Sequence, residues 1–347
     1  MIPTSAREYY FTAVGTHENL EIRAREVERP RANEVLVKVH AVSLQYRDLL
    51  ISSGNYLTNV IPDLVPCSDM AGEIVEVGLD VKDWKVGDRV CANFSIDHVH
   101  GDRTPQNFQT DLGALTHGVL TEFRAFPAHS LVAIPEHLSY TEASTLPCAG
   151  ITAYNSLMGP TPVKAGDYVL ILGTGGVSIF GLQFAVASGA IVIATSSSDE
   201  KLKVATDLGA KHVINYKTTP NWDEEVLRIT KGKGVDHVIE VGGTGTATKS
   251  INSTRIGGYI HLVGFVSQEK SDTNILMLLM MKATNLRPIQ CGSVAQFQDM
   301  MRLLAANPDK TRPVVNKVFE FEEAKEAYSY LASQAHIGKV VIKVAKD

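Results

Sequence analysis

Cysteine is scarce in this 347-residue chain, and the few present are scattered. Cys67, Cys91, Cys148 and Cys291 form no C-x-x-C pair, so their spacing predicts neither a structural zinc site nor a disulfide framework. Reduced thiols in a cytoplasmic protein are the expectation. Long apolar runs are missing as well. The greasiest stretch, Ile275 to Met281, has seven residues, whereas a helix across a bilayer needs about 20. Met1-Ile2-Pro3-Thr4-Ser5 shows no basic stretch leading into an apolar one, so no targeting segment is expected. Positive charge is not in excess: 33 Lys and Arg against 38 Asp and Glu leave a net charge of −5. That balance gives no electrostatic footprint for a nucleic acid.

What remains is an ordinary globular composition, 44% hydrophobic and 20% charged, in a chain whose length favours two domains. The first third reads as β-rich. Residues 34–42 and 73–78 alternate apolar and polar side chains as strands do, and a further strand starts in Val86-Gly87-Asp88-Arg89-Val90. Residues 95–118 are polar and read as a long surface loop, with His98 and His100 as loop residues and not metal ligands. Thr141 to Ser144 looks like a helix start.

From about residue 165 the character changes. Tyr168 to Leu172 is an unbroken apolar run of the kind a buried parallel strand requires. Helices are predicted at 177–188 and 199–208, and strands at 191–195, 212–215, 235–240 and 259–263. Repeated units of this kind imply a doubly wound parallel sheet. At the end, a helix over 321–335 and a strand over 338–344 are predicted, the strand returning to the first domain's sheet. The expected division is 1–130 with 292–347 for the β-rich domain and 131–291 for the nucleotide-binding domain.

Gly173, Thr174, Gly175, Gly176 and Val177 lie between the apolar strand and a helix. Glycines there let a backbone approach a pyrophosphate, and the helix start offers free N–H groups. In this setting they predict a dinucleotide site. The third fingerprint position is Ser178, which suggests slightly looser helix packing. An NAD site needs an acid at the end of the second strand. Here Ser196 and Ser197 stand there, followed by Lys201, and Tyr216 ends the third strand. Small hydroxyls and a cation suit a 2′-phosphate, so NADP(H) is the expected cofactor. The competing reading is a plain helix cap, with Ser198 capping, Asp199 and Glu200 in the first turn, and Lys201 in solvent.

The segments Ala71 to Gly78, Val86 to Val90, Gly118 to Phe123, the glycine-rich turn and Gly338 to Val341, in this order, resemble the medium-chain dehydrogenase/reductase superfamily along nearly the whole chain. The resemblance implies an α/β fold: a GroES-like β-rich domain plus a Rossmann domain, with the active site in the cleft between them. Zinc-dependent members hold a catalytic metal through a Cys, a Gly-His-Glu segment and a second Cys. At those positions this chain has Gln45, Cys67-Ser68-Asp69 and Cys148. Only Asp69 and Cys148 are of a usual ligand kind, and zinc needs three protein ligands, so no metal is expected. Cys148 reads as a buried core thiol. The sequence is therefore similar to the zinc-less branch of quinone oxidoreductases, zeta-crystallin-like proteins and alkenal or enoyl reductases, in which an Asn-Tyr-Arg-Asp segment is common. This chain has Gln45-Tyr46-Arg47-Asp48.

The activity so implied is hydride transfer from NADPH to a small-molecule quinone or to the β-carbon of an α,β-unsaturated carbonyl. Tyr46 is the candidate donor at the acceptor oxygen and Gln45 its assistant, while Arg47 and Asp48 suit an ion pair or a helix cap. Phe94 and Met277 are candidate walls of the substrate pocket. By family position, Thr152, Gly242, Val263, Gly264, Phe265 and Lys339 are further cofactor contacts. Relatives commonly pair Rossmann domains edge to edge, which makes a homodimer through residues 286–292 the expectation. Two alternatives stand beside this reading. One is a crystallin-like NADPH-binding protein with little turnover, and the other is an alcohol dehydrogenase-like enzyme.

Overall fold

The alternating strand and helix signals from residue 165 onward fold into one six-stranded parallel sheet. In the computed structural model, which describes residues 2–56, 60–264, 266 and 274–345, the strands are Tyr168–Leu172, Ile191–Ser196, His212–Asn215, Val235–Glu240, Thr254–Leu262 and Asn285–Pro288. The first of them lies inside the sheet, flanked by Ile191–Ser196 and Val235–Glu240, and His212–Asn215 and Asn285–Pro288 form the two edges. This order puts a strand reversal beside Leu172, where doubly wound sheets open a crevice for ligands. Every residue of Val235–Glu240 is buried, as a strand covered on both faces demands. The helix Gly176–Ala187 is buried from Ser178 through Ala185. It is apolar all round, so it shows no helical stripe, and its place between two strands reveals it.

Chain contacts divide the protein into two units. The first comprises Met1–Ile151, Cys291–Ala306 and Arg312–Asp347, and the second comprises Thr152–Gln290 and Asn307–Thr311. The expected boundary at 130 therefore shifts. Leu131–Ala133 pairs with Arg89–Ala92, the Cys91 thiol donates to the Ala143 carbonyl, and Arg312 binds Glu142. These bonds keep residues 131–151 with the first unit.

In that unit Lys339–Lys343 lies between Val315–Glu320 and Glu34–Ser43, and the sheet runs on through Asp69–Val77, Arg89–Ala92 and Leu131–Ala133. The last strand thus pairs antiparallel with Glu34–Ser43, Val341 opposite Ser43. Val340, Val341 and Ile342 are wholly buried there. Burying side chains of this size stabilises by about 1.5–3 kcal/mol each. The predicted terminal helix is shorter than its pattern: a single turn, Phe321–Glu323, leads into Ala324–Ala332. Residues 95–118 are mostly loop, with one short helix, Pro105–Phe108.

The second unit contains a buried histidine pair that its strand pattern does not announce. His237 Nδ1 and His261 Nε2 are 3.1 Å apart, and both rings stack with Tyr259. Burial first, then His237 and Arg287, push His261 down to about 3, and burial also lowers His237. Unfolded histidine takes a proton near pH 6.5. Stability that is complete above pH 6.5 is therefore lost as pH falls from there to about 3, by roughly 5 kcal/mol at the ceiling for His261. Urea unfolding followed between pH 7 and pH 4 should show this loss, and His261→Gln should flatten the slope.

Candidate active site

The glycine-rich turn leaves the end of Tyr168–Leu172 with Gly173 at φ +73°. Gly175 is the N-cap of the helix Gly176–Ala187, and no side chain caps it. A Cβ placed on Gly175 would meet nothing within 4 Å. An open helix start with glycine backbone suits a pyrophosphate. Thr174 is buried, while Gly176 and Val177 are half-buried. Ser178 does not loosen the packing: its hydroxyl donates to the Leu172 carbonyl at 2.7 Å. Close approach of helix and sheet falls instead to Gly181, where a Cβ would lie 2.3 Å from Ile239 Cδ1.

Ser196, Ser197, Tyr216, Gly242, Val263 and Gly264 lie at the same C-terminal ends of the parallel strands, while Lys201 is in the helix that follows one of them. Ser196 is buried, and its carbonyl accepts from the Tyr216 amide. Ser197 and Lys201 are half-buried, and burial lowers the Lys201 ammonium from its usual range. Tyr216 is exposed. Ser198 does cap the helix Asp199–Asp207. The two acids that follow have partners: Asp199 accepts from Asn215 at 2.8 Å, and Glu200 accepts from the Ser198 hydroxyl. Val263 and Gly264 donate their amides to the Glu240 carbonyl. Thr152 opens the second unit and is buried. Met277 is half-exposed on the helix Ile275–Met281. Phe265 lies outside the described residues.

Glu240 itself escapes the sequence reading. Its Oε1 accepts from the amides of Gly242 and Gly243, at 2.7 and 3.0 Å, and from the Thr246 hydroxyl at 2.6 Å. Its Oε2 accepts from the Ser250 hydroxyl. One carboxylate thus shapes the turn at a strand end on the nucleotide edge. An acid at the end of a predicted strand, two residues before Gly242-Gly243, is the signal that points to it.

In the first unit, the segments quoted for the zinc positions do come together, around Asp69. This side chain is wholly buried. Its Oδ2 accepts from the Gln45 side-chain amide and, at 3.1 Å, from the Cys148 backbone N–H, while Oδ1 accepts from the Ser68 hydroxyl at 2.6 Å. Burial pushes the Asp69 carboxyl up to about 7, against the pull of the Lys339 ammonium and the Ser68 hydroxyl. Lys339 is buried too, and its ammonium donates to the Leu44 carbonyl. It therefore belongs to this cluster. The scattered cysteines also meet: the sulfurs of Cys148 and Cys291 are 3.6 Å apart.

Gln45 precedes the helix Tyr46–Ser52, and its N–H donates to the Asp48 carboxylate at 2.7 Å, so Asp48 serves as a helix cap. Tyr46 is partly exposed, and its hydroxyl bonds to none of the described residues. Arg47 donates to the Tyr56 hydroxyl at 3.0 Å and stacks on Tyr56 and Phe94. Phe94 is buried, packed between Arg47 and Arg103. Its ring supports the Arg47 guanidinium. Zinc does not fit this cluster. Zinc takes thiolate, imidazole or carboxylate ligands, whereas here an amide and a hydroxyl are bound to the one carboxyl. Among the described residues no group of three His, Cys, Asp or Glu side chains could hold a metal ion.

Residues 31–136 match the alcohol dehydrogenase GroES-like domain, and residues 176–306 match the zinc-binding dehydrogenase domain. A zinc-type alcohol dehydrogenase-like protein of Schizosaccharomyces pombe is 46% identical over 334 residues, covering 93% of this chain and 95% of that protein. The chain is a medium-chain dehydrogenase/reductase. The solved structures similar to this dehydrogenase/reductase include an NAD-dependent alcohol dehydrogenase, with 30% identity and a TM-score of 0.89 over 98% of this chain and all of that one. A quinone oxidoreductase from Pseudomonas syringae matches with 26% identity and a TM-score of 0.82, over 98% of this chain and all of that one. The dehydrogenase/reductase is thus an oxidoreductase of a pyridine-nucleotide-using superfamily, of quinone oxidoreductase type, with a GroES-like and a Rossmann domain.

The buried carboxyl yields a test. The Asp69 carboxyl rises from an ordinary 3.8 to about 7 in the fold. Stability it contributes is therefore complete below pH 3.8 and is lost as pH rises through 7. Asp69→Asn removes this dependence. Thermal midpoints of Asp69→Asn relative to the parent should climb by several degrees between pH 5 and pH 8. A constant difference over that range would contradict the buried, protonated carboxyl.

Proposed function

We propose that this dehydrogenase/reductase passes a hydride from NADPH to a quinone or to the β-carbon of an α,β-unsaturated carbonyl, without zinc. The observation that carries the reading is the Asp69 cluster, in which Gln45 and Ser68 bind the carboxyl where zinc-dependent relatives hold metal ligands. With no Lewis acid, the acceptor must spread the incoming charge through its own conjugation. When bound, NADPH supplies the hydride. The protein's part is to hold the acceptor and to place hydrogen-bond donors at the oxygen that gains charge.

Tyr46 is that donor, its hydroxyl being partly exposed and bonded to none of the described residues. Gln45 assists. One amide hydrogen is committed to Asp69, which fixes the amide plane and directs the other. Gly173, Thr174, Gly175, Gly176 and Val177 hold the pyrophosphate, and Thr152, Gly242, Val263 and Gly264 complete the cofactor edge. Ser196, Ser197, Lys201 and Tyr216 take the 2′-phosphate. Asp199 and Glu200, the acids that would repel it, are engaged by Asn215 and Ser198.

The working form is a cytoplasmic homodimer. No helix among the described residues is long and apolar enough to cross a membrane. The edge strand Asn285–Pro288 and the helix Ile275–Met281 carry Leu276, Met280 and Leu286 exposed, an apolar face for a second copy. An alcohol dehydrogenase-like activity is the second reading, favoured by the names of the Schizosaccharomyces pombe relative and of the solved NAD-dependent enzyme.

Purified protein should consume NADPH with a naphthoquinone or an alkenal, contain no stoichiometric zinc, and fail to oxidise simple primary alcohols. Chelator-sensitive alcohol oxidation would favour the second reading, and NADPH binding without turnover on any acceptor would leave a binding protein. Lys201→Ala should raise KM for NADPH about 10-fold or more and KM for NADH less than about 2-fold, the loss of one charge-assisted phosphate contact. Tyr46→Phe should lower kcat about 10–100-fold with little change in KM for NADPH.

A further inference from the structure

The thiols of Cys148 and Cys291 stand 143 residues apart in the chain and 3.6 Å apart in space. Both are half-buried and in no disulfide, whereas Cys67 and Cys91 are wholly buried and separate. Each member of the close pair sits where the chain changes unit. Cys148 is in the turn Leu146–Gly150, just before Ile151, the last residue of the first stretch of unit one, and Cys291 is the residue at which the chain re-enters that unit. Cys291 adopts φ +45°, in the left-handed region that non-glycine residues rarely occupy. Its segment is held in that position: the amides of Val294 and Ala295 donate to the carbonyls of His98 and Val99. On the other side, the Cys148 N–H is bound to Asp69.

We propose that Cys148 and Cys291 form an oxidisable dithiol, a modification site that closes to a reversible disulfide under hydrogen peroxide. Closure brings the sulfurs from 3.6 Å to about 2.05 Å, a shift that side-chain rotation and a small backbone adjustment supply. The step balances as two thiols and one peroxide giving one disulfide and two waters. Peroxide first converts one thiol to a sulfenic acid with release of water. The second sulfur then attacks that sulfur and expels the other oxygen as water. The hydrogen bond between the two sulfurs, and then burial, keep Cys148 protonated well above the usual cysteine range. Whichever thiol is oxidised first, its neighbour 3.6 Å away resolves it. The resulting bond joins the stretch by which the chain leaves the first unit to the stretch by which it returns, and it pulls on the turn that donates to Asp69. A small dithiol such as dithiothreitol reverses it by exchange.

The test uses the full chain and needs no activity. Reduced protein is treated with hydrogen peroxide, alkylated, and read by intact mass and peptide mapping. The expected result is a fall from four alkylatable thiols to two, a mass loss of ~2 Da before alkylation, and one linked peptide pair containing Cys148 and Cys291, all restored by dithiothreitol. In Cys291→Ser the mass loss should vanish. Four remaining thiols, oxygen adducts at either cysteine without a linked peptide, or a link through Cys67 or Cys91 would each overturn the proposal. Peptide mapping of the unsubstituted chain decides the matter even if the variant fails to fold.

Discussion

Asp69 has no exposed surface, and a carboxyl so placed must be neutral or fully hydrogen-bonded to be tolerated. The first unit arranges both. Three donors reach its two oxygens from three separate places in the chain: Gln45 before a helix, Ser68 before a strand, and Cys148 in a turn. Lys339 adds a buried ammonium from the last strand. With its carboxyl at about 7, Asp69 stands near neutrality between its neutral form, which burial favours, and its charged form, which the Lys339 ammonium favours. The same bonds set the direction of Gln45 and hence the start of the helix on which Tyr46 sits. The polar centre that organises this unit thus also fixes the start of the helix that carries Tyr46.

The nucleotide unit uses a carboxylate in the same manner, with a different partner set. Glu240 ends a fully buried strand and gathers two glycine amides and two hydroxyls. A carboxylate that accepts several such bonds fixes a turn more firmly than backbone bonds alone. Glycines in that turn leave room for the contacts: a Cβ on Gly242 would lie 2.3 Å from the Thr246 hydroxyl oxygen. Both units therefore place an acid at the strand end nearest their chemistry.

Much of the second unit is legible in the sequence because buried parallel strands are written as apolar runs, and Tyr168–Leu172 and Ile191–Ser196 fall where the runs do, while His212–Asn215 and Val235–Glu240 are found by their place in the alternation of strands and helices. Side-chain direction is another matter. Lys339 stands in a valine-rich strand, and nothing local says that its ammonium turns inward to the Leu44 carbonyl. Phe94 is a reasonable wall by residue type, yet two arginines pack on its ring. Gly181 takes the packing duty of the fingerprint glycine three residues beyond Ser178, which spacing alone does not reveal. The meeting of Cys148 and Cys291 is set by topology, and no motif spans a gap of that length.

The place of Lys339–Lys343 within the sheet has a consequence for how the chain matures. This strand is not an edge: Val315–Glu320 lies on one side of it and Glu34–Ser43 on the other. The first unit's sheet is therefore split until Lys339–Lys343 has been synthesised, while most of the second unit, Thr152–Gln290, is a continuous stretch made earlier. Long-range pairing of this kind is slow to form, and unpaired strand edges invite association with other chains. The nucleotide unit is thus the part able to fold first on the ribosome, and in the first unit Ala41, Val42 and Ser43 wait for the strand that closes their edge, Glu34 to Lys38 being already paired with Phe123–Pro127.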